Sequence, residues 1–222
     1  MTTFTERQKE IINVSIKLIA EKGIQQLTIK NISKSLGISE PAIYRHFENK
    51  LDILLAILSN FKNSSKAAIK RIHSVDRSAI EQIEMMFLTH FKRFAEKPAL
   101  AAVLFSEEIF QNDKRLSAQV STIMKLSQQA MSTLIKKGQG NNEIRKDIPE
   151  EQLSLIIMGA LRLIVKKWKL SNFSFDLEKE GGKLWKSIIK LIESAKKKRP
   201  FRTDLMDRTD LHSFIQYEIK NP

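Results

Sequence analysis

The stretch at residues 28–47, TIKNISKSLGISEPAIYRHF, constrains the fold more than any other part of the chain. Ile29, Ile32 and Leu36 recur at helical spacing, which gathers them on one face of a short helix. Gly37 ends that run at a point where the chain needs a left-handed residue, a conformation open to glycine because it has no Cβ. Ile38, Ile43 and Phe47 resume the pattern on a second helix, predicted over residues 39–47, with Ser39 as N-cap and Pro41 in the first turn, where a missing N–H is harmless. Ser33, small and on the inner face, allows the two helices to cross closely. Two short helices joined by a tight turn form a helix-turn-helix.

Packing occupies Ile43 and Phe47, so Glu40, Pro41, Ala42, Tyr44, Arg45 and His46 are left on the exposed flank and N-terminal end of the second helix. Helix pairs broken by Leu-Gly-Ile also occur in ordinary all-α proteins. The concentration of exposed donors around one helix distinguishes this pair, because packing does not require them. A helix fits the major groove of duplex DNA with its N-terminal residues near base edges, while flanking donors hold phosphates. Thr28, Tyr44, His46 and Lys50 supply phosphate donors. Arg45 and Lys30 suit base edges, Glu40 can accept from cytosine and Ala42 can touch a thymine methyl. Thr28 also suits the N-cap of the first helix, and both roles can hold in different states.

The runs T-I-K-N-I-S, L-G-I-S-E-P-A-I-Y-R-H-F and N-K-L-D-I-L resemble the DNA-binding domain of the TetR family of one-component repressors, over residues 8–55. The resemblance implies an all-α homodimer with an N-terminal three-helix DNA-binding domain and a C-terminal helical domain for ligand binding and dimerisation. It also implies a fourth helix that couples ligand occupancy to the spacing of the two heads.

Composition agrees with a helical fold. The 222 residues are 42% hydrophobic, enough for a real core, and include only 7 Gly and 5 Pro, with few alternating runs. The absence of Cys excludes disulfides and thiolate metal sites, and fits a reducing cytoplasm. The N-terminus has no apolar leader, and the longest apolar run, residues 153–165, contains Arg162 and is too short to span a bilayer, so no membrane role is expected. The net charge of +13 suits a polyanionic partner. Residues 1–52, however, hold eight Lys or Arg against six Asp or Glu, so the helix-turn-helix pattern, not the charge, carries the DNA-binding reading.

In chain order, Thr5 and Gln8 form a capping box ahead of a helix carrying Ile11, Ile12, Ser15, Leu18 and Ile19, which Gly23 ends. Asn49 caps a long fourth helix through Leu54, Ile57, Leu58 and Phe61 to about His73. Its Lys62, Lys66, Lys70 and Arg71 read as a solvated face before a phosphate contact. Further helices are predicted over residues 78–96, from Pro98, from Asp113 to about Gly138, over 150–169 and over about 177–198. The expected division is a DNA-binding domain at 1–50, a connecting helix at 51–75, a ligand-binding and dimerisation domain at 76–200, and an extension at 201–222 with no assigned role. Leu155, Gly159 and Leu163, with Leu184, Ile188 and Leu191, are the expected dimerisation residues. The alternative is that the last helix is wholly internal.

A domain rich in Phe and Met suits an apolar effector pocket. Phe87, His90, Phe91, Phe94, Phe105, Phe110, Met124, Met131, Met158 and Arg162 are its candidate lining, each also explicable as core. The four scattered His residues, with no phosphate-cradling Gly loop and no Gly-flanked Ser, give no support for a cofactor, a metal or an enzyme. The expectation is therefore a cytoplasmic regulator, a repressor released from a palindromic operator by a small lipophilic effector. The alternative is a DNA-binding protein of the same fold without an inducer, docking a protein partner or organising DNA.

Overall fold

The computed structural model describes residues 4–105 and 113–194. Among these, nine α-helices follow one another: α1 (Glu6–Lys22), α2 (Ile29–Leu36), α3 (Glu40–Tyr44), α4 (Lys50–Ser74), α5 (Ala79–Glu96), α6 (Pro98–Leu104), α7 (Lys114–Gly140), α8 (Glu150–Leu170) and α9 (Leu177–Ile192). A 3-10 turn, Ile24–Gln26, precedes α2, and one isolated antiparallel bridge joins Ile144 to Glu193. Phe110 and the extension from residue 201 lie outside the described residues.

The helices begin and end where local chemistry dictates. Thr5 Oγ1 accepts from Gln8 N while Gln8 Oε1 accepts from Thr5 N, completing the capping box of α1. Asn49 Oδ1 accepts from Asp52 N at the start of α4, and Asp113 Oδ1 accepts from the amides of Arg115 and Leu116 at the start of α7. Asp176 Oδ1 accepts from Lys179 N and starts α9. That last helix ends at Ile192, short of the predicted span.

The chain divides into two compact units, and the division is not the contiguous one expected. The first comprises the described parts of Met1–Asn63 and Glu96–Ile123, the second those of Ser64–Ala95 and Met124–Pro222. The cause is that α4 and α7 are long enough for each to contribute residues to both units. In the first unit, α1 packs on α2 and α6, and α2 on α3, around Ile11, Ile12, Leu27, Ile32, Ile43 and Leu58.

The second unit is centred on α5. Phe87 and Phe91 are fully buried, their rings edge to face at 5.0 Å, and Trp185 of α9 lies 5.7 Å from Phe87. Gly181 lets α9 approach Phe91, since a Cβ there would lie 2.3 Å from Phe91 Cδ2. Gln82, also fully buried, donates to the carbonyls of Ile72 and Val75 at 2.9 Å and accepts from Lys137 Nζ at 2.9 Å, so a potentially costly polar group is satisfied.

Candidate nucleic-acid interface

The turn between α2 and α3 has the predicted geometry. Gly37 is left-handed, with φ 66° and ψ 29°, and Ile38 N donates to Ser33 O at 3.1 Å. Ser33 is buried, its hydroxyl donating to Lys30 O. Thr28 caps α2, its hydroxyl accepting from Asn31 N at 3.1 Å.

Helix α3 is shorter than expected. It spans five residues, Glu40–Tyr44, and Ser39 occupies the N-cap position without a side-chain cap hydrogen bond. Residues 45–46 continue as a turn, with His46 N and Phe47 N both donating to Ile43 O, at 2.9 and 3.1 Å. The apolar side is as predicted, with Ile43 fully buried and Phe47 nearly so.

Outside lie the side chains that packing leaves over. Lys30, Ser39, Glu40, Pro41, Tyr44 and Arg45 are exposed, Ala42 and His46 partly so, and Tyr44 retains 50% of its surface. Lys50 is held differently. Its ammonium reaches Ile24 O at 3.5 Å, and burial lowers its pKa from the ordinary value. It therefore starts anchored to the 3-10 turn before α2, while Arg45 projects outward.

The other expected residues separate by element. On α8, Leu155 and Leu163 are 56% and 61% exposed and Gly159 is also on the surface, joined by Ile156 and Leu170. On α9, Leu191 is exposed and Leu184 partly so, but Ile188 is buried beside Trp185 and Ile192. Ile188 therefore lies at the buried edge of the stripe that Leu184 and Leu191 continue toward solvent. Leu170, outside the predicted set, follows Lys166, Lys167 and Lys169, where no apolar periodicity marks a surface.

Of the effector candidates, Phe87, Phe91, Phe94 and Met131 are buried, Met158 and Arg162 partly exposed, and Met124 exposed, with Arg162 donating to Met124 Sδ at 3.5 Å. Phe105 belongs to the other compact unit. His90 Nδ1 lies 2.7 Å from Met86 O, and burial of the ring pushes its pKa down to about 4, with Arg93 adding repulsion and the Met86 bond opposing the shift. His90 is therefore neutral near pH 7. A shallow open depression between α7 and α8 is lined by Lys125, Gln128, Ser132, Lys136, Glu150 and Ser154, none of them an effector candidate. No cluster able to hold a metal ion occurs among the described residues. No helix among them is long and apolar enough to cross a membrane.

A buried-face helix pair with a left-handed glycine turn, presenting exposed donors on its second helix, defines a helix-turn-helix DNA-binding protein. The profile described as "Bacterial regulatory proteins, tetR family" matches residues 11–57, and "YsiA-like protein, C-terminal region" matches residues 56–193. The chain belongs to the TetR family and is a DNA-binding transcriptional regulator. It is 26% identical to the fatty acid metabolism regulator protein of Bacillus subtilis over 171 residues, 76% of this chain and 86% of the relative. It is 19% identical to the nucleoid occlusion factor SlmA of Vibrio campbellii, over 82% of this chain and 93% of that one. The fold matches a crystal structure of Bacillus subtilis FadR in complex with stearoyl-CoA with a TM-score of 0.68 and 23% identity, covering 82% of this chain and 97% of that one.

Proposed function

We propose that this regulator is a homodimeric, cytoplasmic repressor that leaves a palindromic operator when a lipophilic effector with an acyl chain binds its helical body. The observation that carries the effector class is the buried aromatic and thioether row of Phe87, Phe91, Phe94 and Met131, in a chain similar to a fatty acid metabolism regulator. Arg162 is the cation for the effector's carboxylate or phosphate, because His90 is neutral and offers only a hydrogen bond. In this reading the helix-turn-helix of α2 and α3 reads DNA, and dimerisation runs through the exposed faces of α8 and α9.

A two-fold dimer requires half-sites about one helical turn, roughly 34–36 Å, apart or a multiple of that spacing. Arg45 and Lys30 read bases, while Thr28, Tyr44, His46 and Lys50 hold phosphates. A tenfold response needs about 1.4 kcal/mol of difference in effector affinity between the conformers that match and mismatch the operator. The test titrates long-chain acyl-CoA, free fatty acid and CoA alone into the complex with an operator recovered by selection from genomic fragments, at constant salt. Release by the acyl species and not by CoA is the expected result.

A second reading, partner docking or DNA organisation without an inducer, is favoured by the close packing of Phe87 and Phe91 against Trp185 and Gly181, and by the exposed apolar side of α8. Full operator affinity at every acyl-CoA concentration would select it.

A further inference from the structure

We infer that Gln8 is a positioning residue for the DNA-reading helix. Helix α3 has only five residues, far below the length at which a helix sustains itself in water, so its placement depends on what holds its ends. At its start the chain enters through the Gly37 turn. At its far end α3 gives way to a turn at Arg45, in which Pro41 O accepts from Arg45 N and Ile43 O from His46 N and Phe47 N. Gln8 Nε2 donates to His46 O at 3.3 Å, across 38 residues of sequence, and so ties that end to the first turn of α1.

The same side chain is already fixed at its other atom. Gln8 Oε1 accepts from Thr5 N at 3.0 Å, and Gln8 N donates to Thr5 Oγ1 at 3.2 Å. The capping box therefore holds the amide in one orientation, with its NH2 turned toward His46 and adjacent to Tyr44 and Arg45 in sequence. Glutamate serves a capping box equally well, because the cap needs only an acceptor oxygen. A glutamate, however, has no N–H to give His46 O. At this position glutamine is thus distinguished from glutamate by the tie to α3 and by the absence of a charge, and the random duplex separates the two. Without it the last turn of α3 samples other placements, and binding to a specific site must first order it.

Gln8→Glu isolates this tie, since it keeps the cap of α1 while removing the donor, and Gln8→Ala removes both. The full-length dimer is compared on a duplex bearing the selected palindrome and on a random duplex of equal length, across a salt series. Amide hydrogen exchange is followed in the free protein. With Gln8→Glu, operator affinity should fall roughly threefold to tenfold per head beyond any change on random duplex, with the melting temperature held. The amides of His46 and Phe47 should exchange several-fold faster, with those of α1 unchanged. Equal losses on both duplexes would show that the new charge acts and not the lost donor. Unchanged specificity with unchanged exchange at His46 and Phe47 would also overturn the inference.

Discussion

Helices α3 and α8 each bury one face and present the other to solvent, but what they present is opposite in chemistry. The outer side of α3 offers Glu40, Tyr44 and Arg45 beside Ser39 and Pro41. Such groups are content in water, so an isolated head keeps them there at little cost, and a cation that reaches a phosphate displaces the counterions condensed on the DNA. The outer side of α8 offers Leu155, Ile156, Gly159 and Leu163, diametrically opposite the buried Leu153, Ile157, Leu161 and Val165. Each leucine left half exposed forgoes on the order of 1 kcal/mol of burial, and a contiguous row of them marks a protein contact. Both faces are left over by internal packing, one rich in hydrogen-bonding groups and the other in aliphatic surface.

The largest effect expected from that contrast is on assembly. Leu163→Glu places a charge in the α8 row, where burying it unpaired costs several kcal/mol. Sedimentation should then show a monomer at micromolar concentration, with operator binding lost alongside. A variant that sediments as a dimer would locate the interface elsewhere. On α3 the effect is smaller and more selective. Arg45→Ala should weaken the operator complex by about 1–3 kcal/mol and leave random duplex almost unchanged, read by competition at a stated salt concentration. Lys50→Ala should weaken both duplexes alike and flatten the salt slope, provided the ammonium leaves Ile24 O to reach DNA.

Gly159→Ala sharpens the comparison from the other side. Nothing lies within 4 Å of a Cβ at that position in the single chain, so helix propensity alone predicts a gain of about 1 kcal/mol in monomer stability. If a partner helix crosses there, the same methyl should weaken dimerisation, and a concentration series of denaturant unfolding separates the two. A separate effect concerns pH. The folded pKa of His90 is lowered from 6.5 to about 4 by burial, so between those values the unfolded chain binds a proton that the folded chain refuses. Stability should therefore decline as pH falls through that window, and His90→Phe should flatten the decline in pH-dependent urea unfolding. An identical slope in the variant would assign the decline to other groups.

Much of the head was legible because its signals are local. The capping box at Thr5 and Gln8, the Gly37 turn, and the inward set Ile11, Ile12, Ser15, Leu18 and Ile19 all follow from spacing within one or two turns of helix, and each is observed. The extent of α3 was overestimated because the periodicity through Phe47 continues while the hydrogen-bonding pattern relaxes into a turn. In the body, Ile188 could not be assigned to the correct face from sequence, since leucine and isoleucine occur on several sides of α9 and only Trp185 and Gly181 packing against α5 selects among them.

By itself the sequence determined the all-helical class, the start of most helices and the glycine turn before α3, because caps, glycine turns and apolar periodicity act over a few residues. Tertiary structure alone decided that α6 and the start of α7 belong with the head, that Lys50 is anchored to Ile24 O, that Gln8 reaches His46, and which side of α8 remains uncovered. Each of these depends on groups far apart in the chain meeting in space. No local pattern encodes such a meeting, which forms only when the long helices have packed.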